Sequence, residues 1–344
     1  MEQQREFKVN NFDLLRLLAA TQVIVDHYFQ HLKLPISRLG LDVLYLFPGV
    51  PVFFVISGYL ISASYERNNS LKTYARNRAL RIYPGLWGCI IVTIIAISIT
   101  GFSFLNRQTI AWLPAQLVGL IYTPGFLKDY GFGSYNGSLW TIPIELQFYI
   151  LLPICYTLLP KKRLTACLYI LIGLFVVANF VCQTVPLNDK TEKLLTYSFI
   201  PHFYLFLIGV LFQRLQLYKH KFIYGKALYW LAGYLAFSLG LSTVIEPVSY
   251  SLIKNVILAF AIISMAYTLP NLAQKLLRRN DISYGIYIYH GLILTVAVQM
   301  GVAQSMGLFA LILMTYVLAY LSWQFIEKPF IRKKKHTIAI PVTN

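Results

Sequence analysis

Ten stretches of about 20 mostly apolar residues dominate this chain and decide what it can fold into. They run over residues 12–31, 41–63, 82–101, 138–159, 164–185, 195–215, 227–245, 251–270, 283–302 and 307–327. In hydrocarbon every backbone N–H and C=O must be bonded within its own segment or within a closed barrel, so runs of this length become helices. Only 12% of the residues are charged and 57% are hydrophobic, against about 25% charged in soluble domains. A water-soluble enzyme, a disordered tail and a disulfide-stapled secreted domain are excluded on that ground. The expected fold is all-α: a polytopic membrane protein of ten transmembrane helices. An eleventh run, 109–123, is too short to cross. Broken by Pro114 and closed by Pro124-Gly125, it reads as an interfacial or re-entrant helix.

Charge sets the orientation. With the N-terminus inside, the inner connections hold twenty-two Lys and Arg and the outer ones six, the asymmetry of a cytoplasmic face. Both termini are therefore expected in the cytoplasm. The net charge of +17 is explained by insertion and gives no reason to expect nucleic acid as a partner. The layout is a single domain, 1–344: a cytoplasmic N-terminus 1–11, the bundle 12–327 and a basic cytoplasmic tail 328–344. The first apolar run carries an arginine and a histidine and has no small-residue cleavage site, so it reads as a retained span. Cys89, Cys155, Cys167 and Cys182 all fall in apolar runs and read as small core residues. The longest outer segment, 102–137, is either a lid or acceptor-binding surface or a simple connector packed on the outer face.

Ionisable residues inside spans are costly and mark candidate sites. Arg16 and His27 share the first span; eleven residues of helix bring them to within about 20° of one stripe, about 16 Å apart. Arg16 alternatively snorkels to the inner headgroups with Asp13 one turn earlier, and His27 alternatively is a bonded core residue. His27 and His31 have the i, i+4 spacing of metal ligands, but no Glu-containing zinc motif accompanies them, and no metal is expected. Counting helical rise from the ends of the apolar runs places His27 and Glu145 together near the outer edge. Asp26 points about 100° away and belongs at the outer interface. The same count places Arg16 and His290 together near the inner edge. A histidine with a carboxylate suits acid-base work on a hydroxyl; arginine with histidine suits an anionic or thioester ligand. The connection 64–81 carries Arg67, Lys72, Arg76, Arg78 and Arg81, which either grip phosphates as arginine forks do or only anchor topology.

The segments DLLRLLAATQVIVDHYF (13–29), FPGVPVFFVISGYLIS (47–62), NRALRIYP (77–84), SLWTIPIELQFY (138–149), ISYGIYIYHGLIL (282–294) and FIEKPF (325–330) resemble, in order, the blocks of the acyltransferase-3 family of integral-membrane acyltransferases. The resemblance runs over nearly the whole chain. It implies transfer of an acyl group, commonly acetyl, from cytoplasmic acyl-CoA to a hydroxyl of a cell-surface or exported glycan. It also implies a bacterial plasma membrane and Arg16, His27, Arg78, Arg81 and Glu145 as functional positions. Two departures stand out. Val50 and Pro51 follow Gly49 where many members carry an acidic residue, and Leu146 leaves Glu145 without a second carboxylate. Members with a fused extracytoplasmic esterase-like domain finish the transfer there; this chain is expected to finish it in the membrane or on a separate partner.

The expected mechanism docks acyl-CoA, a co-substrate and not a bound cofactor, by Arg78 and Arg81 with Arg76 helping. Its pantetheine arm threads past Arg16 and His290. His27, oriented by Glu145, then deprotonates the acceptor or briefly carries the acyl group. Tyr130, Phe132, Tyr135, Trp140 and Tyr149 are candidates to hold a saccharide, or else form the aromatic belt of any membrane protein. Membrane lipids are the other expected partners, and a homo-oligomer is compatible with the sequence. The rival reading is a transporter or flippase for a lipid-linked oligosaccharide or anion; such folds often carry inverted repeats, and none is visible here.

Overall fold

The computed structural model describes residues 9–67, 70–278 and 280–333. The outer parts of both expected cytoplasmic ends, 1–8 and 334–344, lie outside the described residues. Every regular element among the described residues is a helix. Ten helices fall on the ten apolar runs: α1 Phe12–His31, α2 Gly49–Glu66, α3 Leu71–Ile99, α4 Thr141–Leu158, α5 Leu164–Thr184, α6 Phe203–Arg214, α7 Ala227–Gly240, α8 Pro247–Ala266, α9 Ser283–Gln299 and α10 Ala303–Ser322. Six helical stretches among the described residues are long and apolar enough to cross a membrane: Arg38–Glu66, Leu71–Ile99, Gly137–Leu158, Lys161–Thr184, Pro247–Ala266 and Ala303–Ile331. The runs 195–215 and 227–245 yield shorter helices than expected. In α6 Pro201 precedes the helical residues, since proline excludes its neighbour from helical geometry, and α7 ends at Gly240.

Helix α3 begins eleven residues earlier than its apolar run. Ser70 caps it by accepting the N–H of Thr73 at 3.3 Å, and nothing in 71–81 breaks a helix. Most of the expected basic loop is therefore helix, with Arg78 and Arg81 one turn apart on it. Pro84 lies inside α3, a position that tightly packed membrane helices tolerate.

Tertiary order rests on close backbone approach. A Cβ placed on Gly58 of α2 would stand 1.9 Å from the Phe206 carbonyl oxygen, and one on Gly209 of α6 would stand 2.1 Å from that of Val55. Small residues let these helices touch at the backbone, the main source of attraction where lipid competes for every apolar side chain. The start of α1 is tied to the end of α8 through buried Asn11, whose Nδ2 donates to the carbonyls of Thr268 (2.9 Å) and Leu269 (3.1 Å). A second apolar cluster, including Ile24, Tyr28, Ile286 and Leu311, joins α1, α9 and α10.

The segment 102–137 is folded down onto α9. Its helix, Arg107–Val118, is capped by Asn106 and stopped by Gly119 in the left-handed region at φ 88°. Asn136 Nδ2 donates to the Ile288 carbonyl (2.8 Å), Thr295 Oγ1 to the Ser134 carbonyl (2.8 Å), and the Gly131 N–H to Gln299 Oε1 (2.8 Å). Trp112, Leu127, Tyr130 and Tyr135 are fully or almost fully buried within it. The segment is packed and has an apolar centre of its own.

Candidate functional site

Two clusters of polar side chains lie inside the bundle. At the first, α1, α3 and the residues just ahead of α9 meet on one carboxylate. Asp281 Oδ2 receives Arg81 Nη2 at 2.6 Å and Arg16 Nη2 at 3.0 Å, while Oδ1 accepts the Ser283 hydroxyl at 2.5 Å. Arg16 also reaches Asp13, at 2.5 Å. Burial alone would raise the Asp281 carboxyl, but the guanidiniums of Arg16 and Arg81 and the Ser283 hydroxyl hold it well below the usual carboxylate range. Arg16 thus does what its spacing to Asp13 suggests and, in addition, joins two helices. Asp281 was not singled out from the sequence. The signal was there, an Asp-x-Ser step at the start of a helix, but its partners are 200 and more residues away.

A cavity opens beside this cluster, lined by Arg16, Arg78, Arg81, Glu145, Tyr149 and Tyr284 among others. Arg78 differs from its neighbours. No carboxylate among the described residues lies within ion-pair distance of it. Its guanidinium rests 5.7 Å from the centre of the Tyr149 ring, touches the Ser64 hydroxyl at 3.4 Å, and leaves Nε without a partner. It is the cation in this cavity best placed to receive an anion. Arg81 is already engaged by Asp281, and Arg76 is exposed and off the cavity lining. Of the three arginines expected to grip phosphates, Arg78 and Arg81 line the cavity and Arg76 does not, because α3 is helical through this region and turns Arg76 about 160° from Arg78.

Glu145 accepts a short hydrogen bond from the Tyr149 hydroxyl and lines the same cavity. Its expected pairing with His27 is not what the fold builds. Tyr149 faces this cavity and not an outer mouth. Tyr135, expected near a saccharide, is 1% exposed, packs on Trp112 and donates to Gln116 at 2.6 Å. Trp140 stands beside His202 and Tyr197, with ring centres 5.8 and 6.4 Å away.

The second cluster is an imidazole pair. His290 Nε2 lies 3.0 Å from His27 Nδ1, and His290 Nδ1 lies 3.1 Å from the Ile286 carbonyl oxygen. The expected placement of His290 beside Arg16 is not what the fold builds; His290 meets His27 instead. Counting from the ends of apolar runs sets the starts of α1 and α9 at one depth. His27 is fifteen residues into α1 and His290 seven into α9, so their meeting sets α9 about 12 Å, more than two turns, further along α1, and Arg16 reaches Asp281, two residues ahead of α9, on the same offset. His31 stands one turn beyond His27, rings 5.2 Å apart, and is covered by Phe132 of the outer connector, stacked at 3.9 Å and 9°. Asp26 accepts the Tyr45 hydroxyl at 2.7 Å.

Between the two clusters stand Phe53 and Tyr287, ring centres 5.4 Å apart. Both line the cavity, and Tyr287 also packs against His290 at 5.9 Å. Thr141 donates to its hydroxyl at 2.9 Å. The cavity and the imidazole pair therefore share one wall.

The chain matches the acyltransferase domain model over residues 9–324. It is 33% identical to "Nodulation protein 10" of Rhizobium leguminosarum bv. viciae, over 96% of this chain and 95% of that protein. It is 26% identical to "O-acetyl transferase" of Shigella phage Sf6, over 97% and 99%. A partial match, 28% identical over 42% of this chain and 24% of the relative, is to "Peptidoglycan O-acetyltransferase OatA" of Listeria monocytogenes. No solved structure matches. With a family model spanning nearly all of it and relatives alike from end to end, the chain belongs to the acyltransferase-3 family of membrane acyltransferases.

Proposed function

We propose that the protein is an O-acyltransferase, with acetyl the preferred group, that takes its donor as acyl-CoA from the cytoplasm and delivers the acyl group to a hydroxyl of a surface glycan or lipid-linked saccharide. The observation that carries this reading is the shared wall: an anion-accepting cavity at Arg78 lies on one side of Phe53 and Tyr287, and the imidazole pair on the other. The likeness to the phage O-acetyl transferase and the Listeria peptidoglycan O-acetyltransferase supports acetyl transfer to oxygen. The positive-inside asymmetry supports ten crossings with both ends in the cytoplasm, and the family implies a bacterial plasma membrane.

In the proposed reaction the phosphates of the donor lie at the cytoplasmic mouth near Arg78, and the thioester passes the Phe53–Tyr287 wall. His27 takes the proton of the acceptor hydroxyl as the oxygen attacks the thioester carbonyl; the C–S bond breaks, and the thiolate leaves and takes up that proton as free CoA thiol. Arg16 and Arg81, locked on Asp281, hold the three elements that form the cavity floor. The test uses purified protein in detergent, acetyl-labelled acetyl-CoA and candidate saccharides. Label in the saccharide with one free thiol per transfer is expected. A protein that neither binds the donor nor releases thiol with any acceptor overturns the reading.

A further inference from the structure

Two imidazole nitrogens 3.0 Å apart can be stable only if one carries a proton and the other a lone pair, and the surroundings decide which. The Ile286 carbonyl oxygen only accepts, so the His290 Nδ1 facing it at 3.1 Å carries the hydrogen. His290 is 0% exposed and has no carboxylate within ion-pair distance among the described residues. A charge there would be buried and unpaired, which favours the neutral ring. A neutral ring with its hydrogen on Nδ1 has its lone pair on Nε2, and Nε2 faces His27.

We infer that His290 is a positioning residue that fixes the tautomer of His27: the Nδ1–H of His27 donates to His290 Nε2, leaving the lone pair of His27 on its own Nε2. Free imidazole side chains favour the opposite form, so the buried pair reverses the intrinsic preference and presents Nε2 as the acceptor of a proton. No partner occupies that nitrogen among the described residues. A backbone carbonyl and a second histidine thus do what a carboxylate does in the better-known triads, where the orienting group sets the tautomer of the base. The tautomer assignment stands on geometry alone; its value to catalysis rests on the reading that His27 is the base.

The test is spectroscopic. Protein labelled with 15N-histidine, in detergent at pH 8, is examined by long-range 1H–15N correlation, with the His27 signal identified by its loss in His27→Gln. The wild-type spectrum is expected to show His27 protonated at Nδ1 and bare at Nε2; a hydrogen on Nε2 overturns the inference without any further variant. His290→Leu should return His27 to the Nε2–H form and lower kcat by at least tenfold, a modest part of what a general base supplies, with KM for the donor unchanged. His290→Gln, whose side-chain oxygen can accept the same Nδ1–H, should keep the tautomer and restore most of kcat; equal loss in both variants overturns the positioning role. The expected tautomer in a protein that transfers no acyl group would sink the proposed reaction and leave this inference intact.

Discussion

At the scale of single residues, what separates function from scaffold here is whether a charge is already satisfied. Arg78 has a cavity in front of it and no carboxylate beside it among the described residues. Arg78→Ala should therefore leave thermal stability nearly unchanged while weakening donor affinity by roughly tenfold or more, the worth of a charge-assisted hydrogen bond; titration with acyl-CoA measures it. Arg81 and Asp281 behave the opposite way. Asp281→Asn leaves two guanidiniums largely buried without their shared anion and should cost about 3 kcal/mol, the scale for breaking a buried pair from one side, read as a lowered Tm in detergent. Because the carboxyl is held below its ordinary range in the folded state, its contribution is full at neutral pH and is lost progressively as pH falls from the ordinary carboxylate range toward the lower folded value. His27→Ala should preserve donor binding and lower kcat by about a hundredfold or more; undiminished transfer would remove the imidazole from the chemistry. Glu327 of the closing block is 1% exposed, accepts the Ser322 hydroxyl at 3.1 Å and leaves its other oxygen without a partner among the described residues. Glu327 closes the apolar run 307–327, and that position is the sequence signal for its burial.

At the scale of elements, helix contact is governed by what is missing from the side chains. Gly58 and Gly209 face each other's helix with no room for a methyl group. Gly58→Ala and Gly209→Ala should each force α2 and α6 apart and cost at least about 1–3 kcal/mol, seen as a Tm lowered by several degrees with the helix content by circular dichroism unchanged. The arginines of α3 teach a related lesson. Hydropathy marks where a helix is apolar, not where it begins; a charged first stretch capped by Ser70 is helical for backbone reasons, and that puts Arg78 and Arg81 on the cavity and turns Arg76 away. The segment 102–137 was legible only as a choice between roles, and its polar anchors on α9, such as Asn136 to Ile288, fix where it packs.

At the scale of the whole molecule, orientation is open to a direct check. A cysteine placed at Lys190 should react with a membrane-impermeant maleimide added to intact cells, and one at Lys219 only after lysis, in a background where Cys89, Cys155, Cys167 and Cys182 are replaced. Reaction at Lys219 in intact cells would reverse the topology. The positions of the ten apolar helices, the membrane character and the family blocks could all be read from the chain, because a lipid solvent imposes length, apolarity and internal hydrogen bonding on each segment independently. Which polar residues meet could not. Depth counted along each helix assumes a common starting plane, and the start of α9 is set by a side chain on α1 through Asp281. That one offset joins His290 to His27 instead of Arg16, and the bond of Glu145 to Tyr149 depends likewise on neighbours. Periodicity and hydropathy are properties of a segment and are written in it; the meeting of imidazole with imidazole is a property of how segments slide past one another, which only their packing settles.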